Sequence, residues 1–333
     1  MVFVTGGSGL IGSFLIQALL EQGHQVKAIY RGQVPGIPGA EQVQWLEGDI
    51  LDPVFLRSAL EDVKYVFHSA GLVSYAPQDV ELLKQINVEG TANIVDACLE
   101  QQSIKLCHVS SIAAVGRPKG STTLTEKDKW DQAEEHSAYA SSKYFGELEV
   151  WRGISEGLNA VIVNPSVVLG PADWTRSSTR LFKYVFDQKS FYTKGSANFV
   201  DVRDVVEAML QLTFSDITGE RFILNAGQLT YKEFFERVAG CLGKKAPGIK
   251  VPAALAEVVW RAERVRSWLT GSRPLITKDT ARVASKTHLF SNNKVSAAIG
   301  LEFRPLDETI AWSCSRLLAL ASAATTPETA NSN

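Results

Sequence analysis

The chain has 333 residues, too many for one minimal domain and enough for a large core with a smaller lobe. Its 45% hydrophobic and 21% charged residues are those of a globular protein. A net charge of -2 excludes a global field that would draw in nucleic acid or an anionic membrane.

Val2–Thr5 is the first predicted strand. The opening MVFVTGG has neither a basic segment nor an apolar stretch behind it, which predicts no secretory signal and a cytoplasmic location. A strand that starts at the second residue predicts a native N-terminus a few residues upstream. The strand runs into Thr5-Gly6-Gly7-Ser8-Gly9-Leu10-Ile11-Gly12 and a predicted helix over Leu10–Gln22. Gly6 allows a tight turn, Gly9 lets backbone approach a pyrophosphate, and Gly12 lets helix and strand pack closely. Leu10 and Ile11 open the helix, whose free N–H groups and positive dipole end suit phosphate. These five residues are expected to bind a dinucleotide.

The second predicted strand, Gln25–Tyr30, ends in Tyr30-Arg31-Gly32 and not in the acid that would bind an NAD ribose. Arg31 could pair with a 2′-phosphate, which favours NADP over NAD; the competing reading is a solvated surface charge. After the third strand, Val43–Glu47, comes Gly48-Asp49-Ile50. Asp49 could accept from an adenine amino group, with Ile50 beside it, or could simply start a turn ahead of the predicted helix Pro53–Leu60. Val63–His68 is the next strand, followed by a long predicted helix over Gln78–Gln101, the strand Ile104–Ser110, the helix Ser137–Glu156 and the strand Ala160–Asn164. Val- and Ile-rich strands alternating with helices predict an α/β fold: a parallel, doubly wound sheet of Rossmann type, covered on both faces. Cys98, Cys107, Cys241 and Cys314 form no CxxC and read as free thiols. Adjacent Cys107 and His108 point to opposite faces of a strand, so no metal site is expected.

Tyr139-Ala140-Ser141-Ser142-Lys143 places a phenol and an ammonium on one helix face. A free tyrosine titrates near 10, and a neighbouring cation lowers that value, so Tyr139 could exchange a proton with a substrate oxygen. Ser110 and Ser111 close the fifth strand at the sheet edge where ligands sit, and only one of them can hold that oxygen. After Gly170 the pattern changes to short elements. NFVDVRDVVEAML reads as a strand end leading into a helix, Arg221–Leu224 as a strand, and the chain from Thr230 as mainly helical. The most apolar long window, Val251 to Leu269, carries Glu257, Arg261, Glu263, Arg264 and Arg266, too many charges for a membrane span. A last helix is expected from Asp307 to about Leu320. The expected division is a dinucleotide-binding domain over 1–170 with 199–226 returning to it, a smaller substrate lobe over 171–198 and 227–320, and a disordered tail over 321–333.

Together these segments resemble the extended short-chain dehydrogenases/reductases, the NAD-dependent epimerase/dehydratase group. The likeness is carried by TGGSGLIG, GDILDP (Gly48–Pro53), FHSAG (Phe67–Gly71), INVEGTANIVDAC (Ile86–Cys98), VSSIAAVG (Val109–Gly116), YASSK, NPSVVLGP (Asn164–Pro171) and FVDVRDV (Phe199–Val205). The resemblance implies Ser111, Tyr139 and Lys143 as a catalytic triad. It implies that Ala70 and Gly71 line the cofactor, with Asn87 supporting the site, that Pro165, Ser166 and Val167 flank the nicotinamide, and that Ser110, Tyr139 and Lys143 also contact the cofactor. It further implies a homodimer formed through the two long helices.

The expected activity is hydride transfer between a carbonyl and an alcohol, as in the dihydroflavonol reductases and 3β-hydroxysteroid dehydrogenases that the chain resembles. The alternative is a sugar-nucleotide epimerase or dehydratase. Against it, the position where many of those enzymes carry a diphosphate-binding arginine is Ala197, although Arg176, Arg180 or Arg203 could replace it. A dinucleotide-sensing regulator would tend to lose the tyrosine or lysine, and both are present. Trp174, Phe182, Tyr184, Phe186, Phe191 and Tyr192 suit a flat apolar substrate, but core packing ranks ahead as their explanation.

Overall fold

A computed structural model describes residues 1–101, 103–118, 120–174, 178–251 and 288–325. Arg176, nearly all of the window Val251 to Leu269, and the tail from residue 326 lie outside the described residues. The first half alternates strand and helix: β1 (Val2–Thr5), α1 (Leu10–Glu21), β2 (Val26–Tyr30), β3 (Gln44–Glu47), α2 (Pro53–Ala59), β4 (Tyr65–His68), α3 (Val80–Lys84), α4 (Gly90–Glu100) and β5 (Lys105–Val109). Then come β6 (Thr123–Leu124), α5 (Ala138–Ser155), β7 (Asn159–Pro165), β8 (Val167–Leu169), α6 (Thr179–Phe186), β9 (Phe191–Thr193), β10 (Ser196–Asp201), α7 (Val202–Thr213) and β11 (Glu220–Leu224). The chain closes through β12 (Gly227–Thr230), α8 (Tyr231–Leu242), β13 (Ile249–Val251), β14 (Leu289–Phe290), α9 (Asn293–Ile299) and α10 (Leu306–Thr325).

Seven strands form one sheet in the order β11-β7-β5-β4-β1-β2-β3, every neighbouring pair parallel. The strand order reverses between β1 and β4, the switch point at which such sheets bind ligands outside their carboxyl ends. The sheet is buried on both faces, as its unbroken apolar strands require. One face packs on α1 and α7 through Leu15, Ile16, Leu19, Val205 and Met209. The other packs on α2, α4 and α5 through Leu56, Ile94, Val95 and Val150.

A separate three-stranded sheet, β12-β10-β8, carries a second core with α6, α8 and α10. Phe182, Phe199 and Phe234 are fully buried there, with Phe234 stacked 4.8 Å from Phe199 and edge-on to Phe182 at 5.6 Å. Each such side chain contributes about 2–3 kcal/mol of burial. Trp174 packs on Phe186 and Tyr184 on Phe235, so most of the lobe's aromatics serve packing, as ranked; Phe191 stays exposed.

Two elements differ from the sequence reading. The long helix expected over Gln78–Gln101 opens with a tight turn at Pro77–Asp79 and widens into a π-helical turn at Gln85–Glu89. The final helix runs past Leu320 to Thr325, because the alanine-rich continuation sustains it. Residues 321–325 are therefore helical and not part of a disordered tail. Among the described residues, no helix is long and apolar enough to cross a membrane.

Candidate active site

The turn after β1 is shaped by close backbone approach. Gly6 adopts φ +73, and a Cβ there would lie 2.6 Å from the Ala70 nitrogen. A Cβ on Gly12 would lie 2.2 Å from the Gly6 carbonyl oxygen, which also accepts the Gly9 N–H at 2.9 Å. Gly9 caps α1 with no side-chain hydrogen bond, and the first turn holds no acid. The N–H groups of Leu10, Ile11 and Gly12 thus remain for an anion at the positive end of the helix. This cradle, which any Cβ would fill, fits the pyrophosphate of a dinucleotide.

At the ends of β2 and β3, Arg31 Nη1 donates to Asp49 Oδ2 at 3.2 Å. With the side chains 66% and 37% exposed, the pair contributes at most about 1 kcal/mol, so Arg31 stays open to a stronger anion. Asp49 Oδ1 accepts the Leu51 N–H, so this residue also serves its turn. Ile50 is buried against the start of α4, where a Cβ on Gly90 would lie 2.5 Å from its Cδ1.

The residues expected to handle the proton converge on the carboxyl end of β5. Ser137 caps α5, its Oγ accepting the Ala140 N–H, and so fixes Tyr139 in the first turn. Tyr139 is half-buried, its ring 5.6 Å from that of Tyr75. One turn on, buried Lys143 donates from Nζ to the Val109 carbonyl at 2.8 Å. Burial lowers the Lys143 ammonium to about 8, against the support of Glu147. Burial raises the Tyr139 phenol above its ordinary value, against a hydrogen bond with Ser111. The lowering expected from a cationic neighbour is not what is found: burial sets the direction.

The two serines just beyond β5 meet different residues of α5. Ser111 faces Tyr139 and caps a short turn, accepting the Ala113 N–H. Ser110 is buried and donates to Glu147 Oε2 at 2.7 Å, further along α5. The π-helical turn aims Asn87 inward: Nδ2 donates to the Leu72 carbonyl and to Ser142 Oγ, and Oδ1 accepts the Leu72 N–H. A Cβ on Gly71 would lie 3.3 Å from Asn87 Oδ1 and 3.7 Å from Lys143 Nζ, so these three residues meet. Ala70 donates its N–H to Thr5 Oγ1. Pro165 closes β7 and Val167 opens β8; between them Ser166 is buried, its N–H bonded to the Leu224 carbonyl. Ser166 Oγ finds no hydrogen-bond partner among the described residues.

A dinucleotide cradle and a Tyr-Lys-Ser cluster therefore share one sheet edge. The model of the NAD dependent epimerase/dehydratase family matches residues 2–227, the whole of that sheet and its site. The chain belongs to this family. As such it is an NAD(P)-dependent enzyme of the extended short-chain dehydrogenase/reductase type. A Synechocystis protein provisionally named a dihydroflavonol 4-reductase is 30% identical over 323 residues, covering 93% of this chain and 92% of its own. Cinnamoyl-CoA reductase 1 of Petunia hybrida is 26% identical over 328 residues, covering 93% and 90%. The crystal structure of gox2253 superposes with a TM-score of 0.82 at 29% identity, covering 96% of this chain and 98% of that one. The chemistry common to such enzymes is hydride exchange between a nicotinamide and a carbonyl/alcohol pair.

A buried carboxylate behind the Tyr139–Lys143 pair is not signalled by the family motifs. Glu147 is buried and gathers four donors: Ser110 Oγ, Asn164 Nδ2, Trp151 Nε1 and Arg221 Nη1. The spacing Tyr139, Lys143, Glu147 on one helix face was the available signal. Behind Lys143, His68 and His108 lie side by side across β4 and β5, ring centroids 5.2 Å apart. Thr91 spends its hydroxyl proton on the Asn87 carbonyl, so it accepts from His68 Nε2, and Thr5 donates to His68 Nδ1. Burial and the Lys143 charge push His68 down to about 3 and His108 well below its ordinary value.

Proposed function

We propose that this family member is a net carbonyl reductase or alcohol dehydrogenase, acting on a small, largely apolar substrate with NADP as preferred cofactor. The bound cofactor supplies or accepts the hydride. Ser111 holds the substrate oxygen and Tyr139 hands it a proton. Lys143, braced on the Val109 carbonyl, favours the phenolate left behind. The observation that carries this reading is buried Lys143, one helical turn from Tyr139, with its Nζ 2.8 Å from the Val109 carbonyl at the ligand-binding edge of the sheet.

Gly6, Gly9, Leu10, Ile11 and Gly12 hold the pyrophosphate; Arg31 takes the 2′-phosphate while Asp49 and Ile50 flank the adenine. Ala70, Gly71, Asn87 and Pro165 to Val167 enclose the nicotinamide end. Residues 171–198 and 227–320 form the substrate lobe. Leu82, Phe145 and Leu148, exposed on α3 and α5, support a homodimer through those helices, and four free thiols suit a reducing cytoplasm.

Among the described residues, little supports the diphosphate clamp that the sugar-nucleotide alternative needs. Ala197 lies on β10 without a charge to offer, and Arg203 is committed to Asp201 and Glu308 while stacking 4.0 Å over Trp312. Among the described residues Arg180 remains exposed on α6. The test is to incubate the protein with NADPH and a panel of aldehydes, ketones and sugar nucleotides, following cofactor absorbance and products. Net oxidation with a carbonyl compound is expected, and Tyr139→Phe should lose about 10²- to 10⁴-fold in kcat while still binding NADPH. Conversion of a sugar nucleotide without net redox change, or full turnover by Tyr139→Phe, overturns the reading.

A further inference from the structure

We infer that Glu147 is a positioning residue for the proton-transfer site, holding Ser111 in place through Asn164 and balancing the charge of Lys143 from the next turn of the same helix. The inference rests on Ser111, Tyr139 and Lys143 being the reacting triad. Its basis is a carboxylate 2% exposed that accepts four hydrogen bonds: one from its own helix, one from just past β5, and one each from β7 and β11. Ser110 Oγ and Asn164 Nδ2 both reach Oε2 at 2.7 Å, while Arg221 Nη1 at 2.9 Å and Trp151 Nε1 at 3.3 Å reach Oε1.

The link to the triad is direct on both sides. Asn164 Nδ2 also donates to the Ser111 carbonyl at 3.0 Å, so one amide group ties Glu147 to the backbone of the residue that holds the substrate oxygen. Ser110 is the neighbour of Ser111 in the chain, and its hydroxyl is pinned by the same carboxylate oxygen. A shift of Glu147 therefore moves Ser111 by two routes. Arg221 in turn is anchored by the Glu126 carbonyl, from both Nε and Nη2, which fixes the outer end of the array.

The charge argument runs in parallel. The titratable groups coupled to Lys143 are Glu147 from its own helix, His68 from β4 and His108 from β5. Both imidazoles are held neutral, so Glu147 is the negative charge among them that keeps the ammonium protonated against its burial. Without that charge Lys143 loses its proton at lower pH, and with it the cation that Tyr139 needs.

The test separates charge from reach. Glu147→Gln keeps the size but removes the charge and presents an amide N–H₂ to surrounding donors; Glu147→Asp keeps the charge but shortens the reach by one methylene. kcat and KM are measured from pH 6 to 10, with NADPH affinity by fluorescence and folding by thermal melt. For Glu147→Gln the alkaline limb of kcat should move down by about one pH unit or more. For Glu147→Asp the limb should stay at the wild-type pH while kcat falls about 10- to 100-fold with KM for NADPH little changed. A melt lowered in both variants with kcat and limb at wild-type values would mean a merely structural carboxylate and overturn the inference. If Glu147→Gln does not fold, the Asp variant decides alone, since wild-type kcat there is equally fatal. Tyr139→Phe in the same assay keeps the two claims apart. Full activity in it sinks the triad itself, whereas a dead Phe variant beside indifferent Glu147 variants sinks only the role given to Glu147.

Discussion

His108 shows how a single side chain can tie stability to acidity. It is fully buried, and neither ring nitrogen has a hydrogen-bond partner among the described residues. Its charged form and that of His68 are opposed by burial and by Lys143. Both groups therefore have folded-state values depressed below the ordinary 6.5. Above that pH the unfolded chain is neutral too, and nothing is lost. As pH falls below about 6.5 the unfolded chain takes up protons that the native one refuses until about 3 for His68. Stability should then drop by up to about 1.4 kcal/mol per pH unit for each histidine. His108→Leu, which removes an unpaired polar ring, should be near neutral or slightly stabilising at pH 7. At pH 5 it should be more stable than wild type by about 1–2 kcal/mol, read from urea midpoints. An unchanged difference between the two pH values would show that His108 does not set the acid limit.

At the scale of elements, the site depends on how closely α5 approaches the π-helical turn. A Cβ on Gly146 would come within 2.1 Å of the Asn87 carbonyl oxygen, and one on Gly153 within 2.5 Å of Val95. Glycine spaced by seven along α5 thus lets two backbones meet, and the contact fixes Asn87 against Ser142. Gly146→Ala, normally favourable in a helix, should here destabilise by about 1–3 kcal/mol and lower kcat by displacing α5 with Lys143. Guanidinium titration beside steady-state rates checks both halves. The strands of the seven-stranded sheet were plain in the sequence, because parallel sheets need continuous apolar runs and the glycine turn marks the first crossover. So was the placing of Tyr139 and Lys143 on one helix face, from their spacing of four. The π-turn was not, since its cause is a tertiary demand on Asn87 and not a local preference of Gln85–Glu89. Nor was the Glu147 array, whose partners lie on β5, β7 and β11 and come together only when the sheet closes.

For the whole molecule, the dinucleotide cradle links the two halves of the sheet. Gly6 and Ala70 meet across β1 and β4, at the point where strand order reverses. A ligand bound there stabilises the native state by mass action, about 2.7 kcal/mol at a hundredfold excess over Kd. NADPH should therefore raise Tm more than NADH at equal concentration, and Arg31→Ser should remove most of that difference while leaving Tm without cofactor unchanged. Equal protection by both cofactors in the wild type would remove Arg31 from the 2′-phosphate and leave it a surface charge.

The place of β11 has a consequence for how the chain is made. β7 is apolar along nearly its whole length, and its outer edge is covered by a strand that begins only at Glu220. During synthesis at about 5–20 residues per second, that edge stays bare for several seconds after the ribosome has released Pro165. A nascent or truncated chain ending before Glu220 offers Ala160–Val163 as a ready template for pairing with another molecule. Fragments cut at the natural-looking boundary after Gly170 should thus aggregate, and expression boundaries belong beyond Leu224.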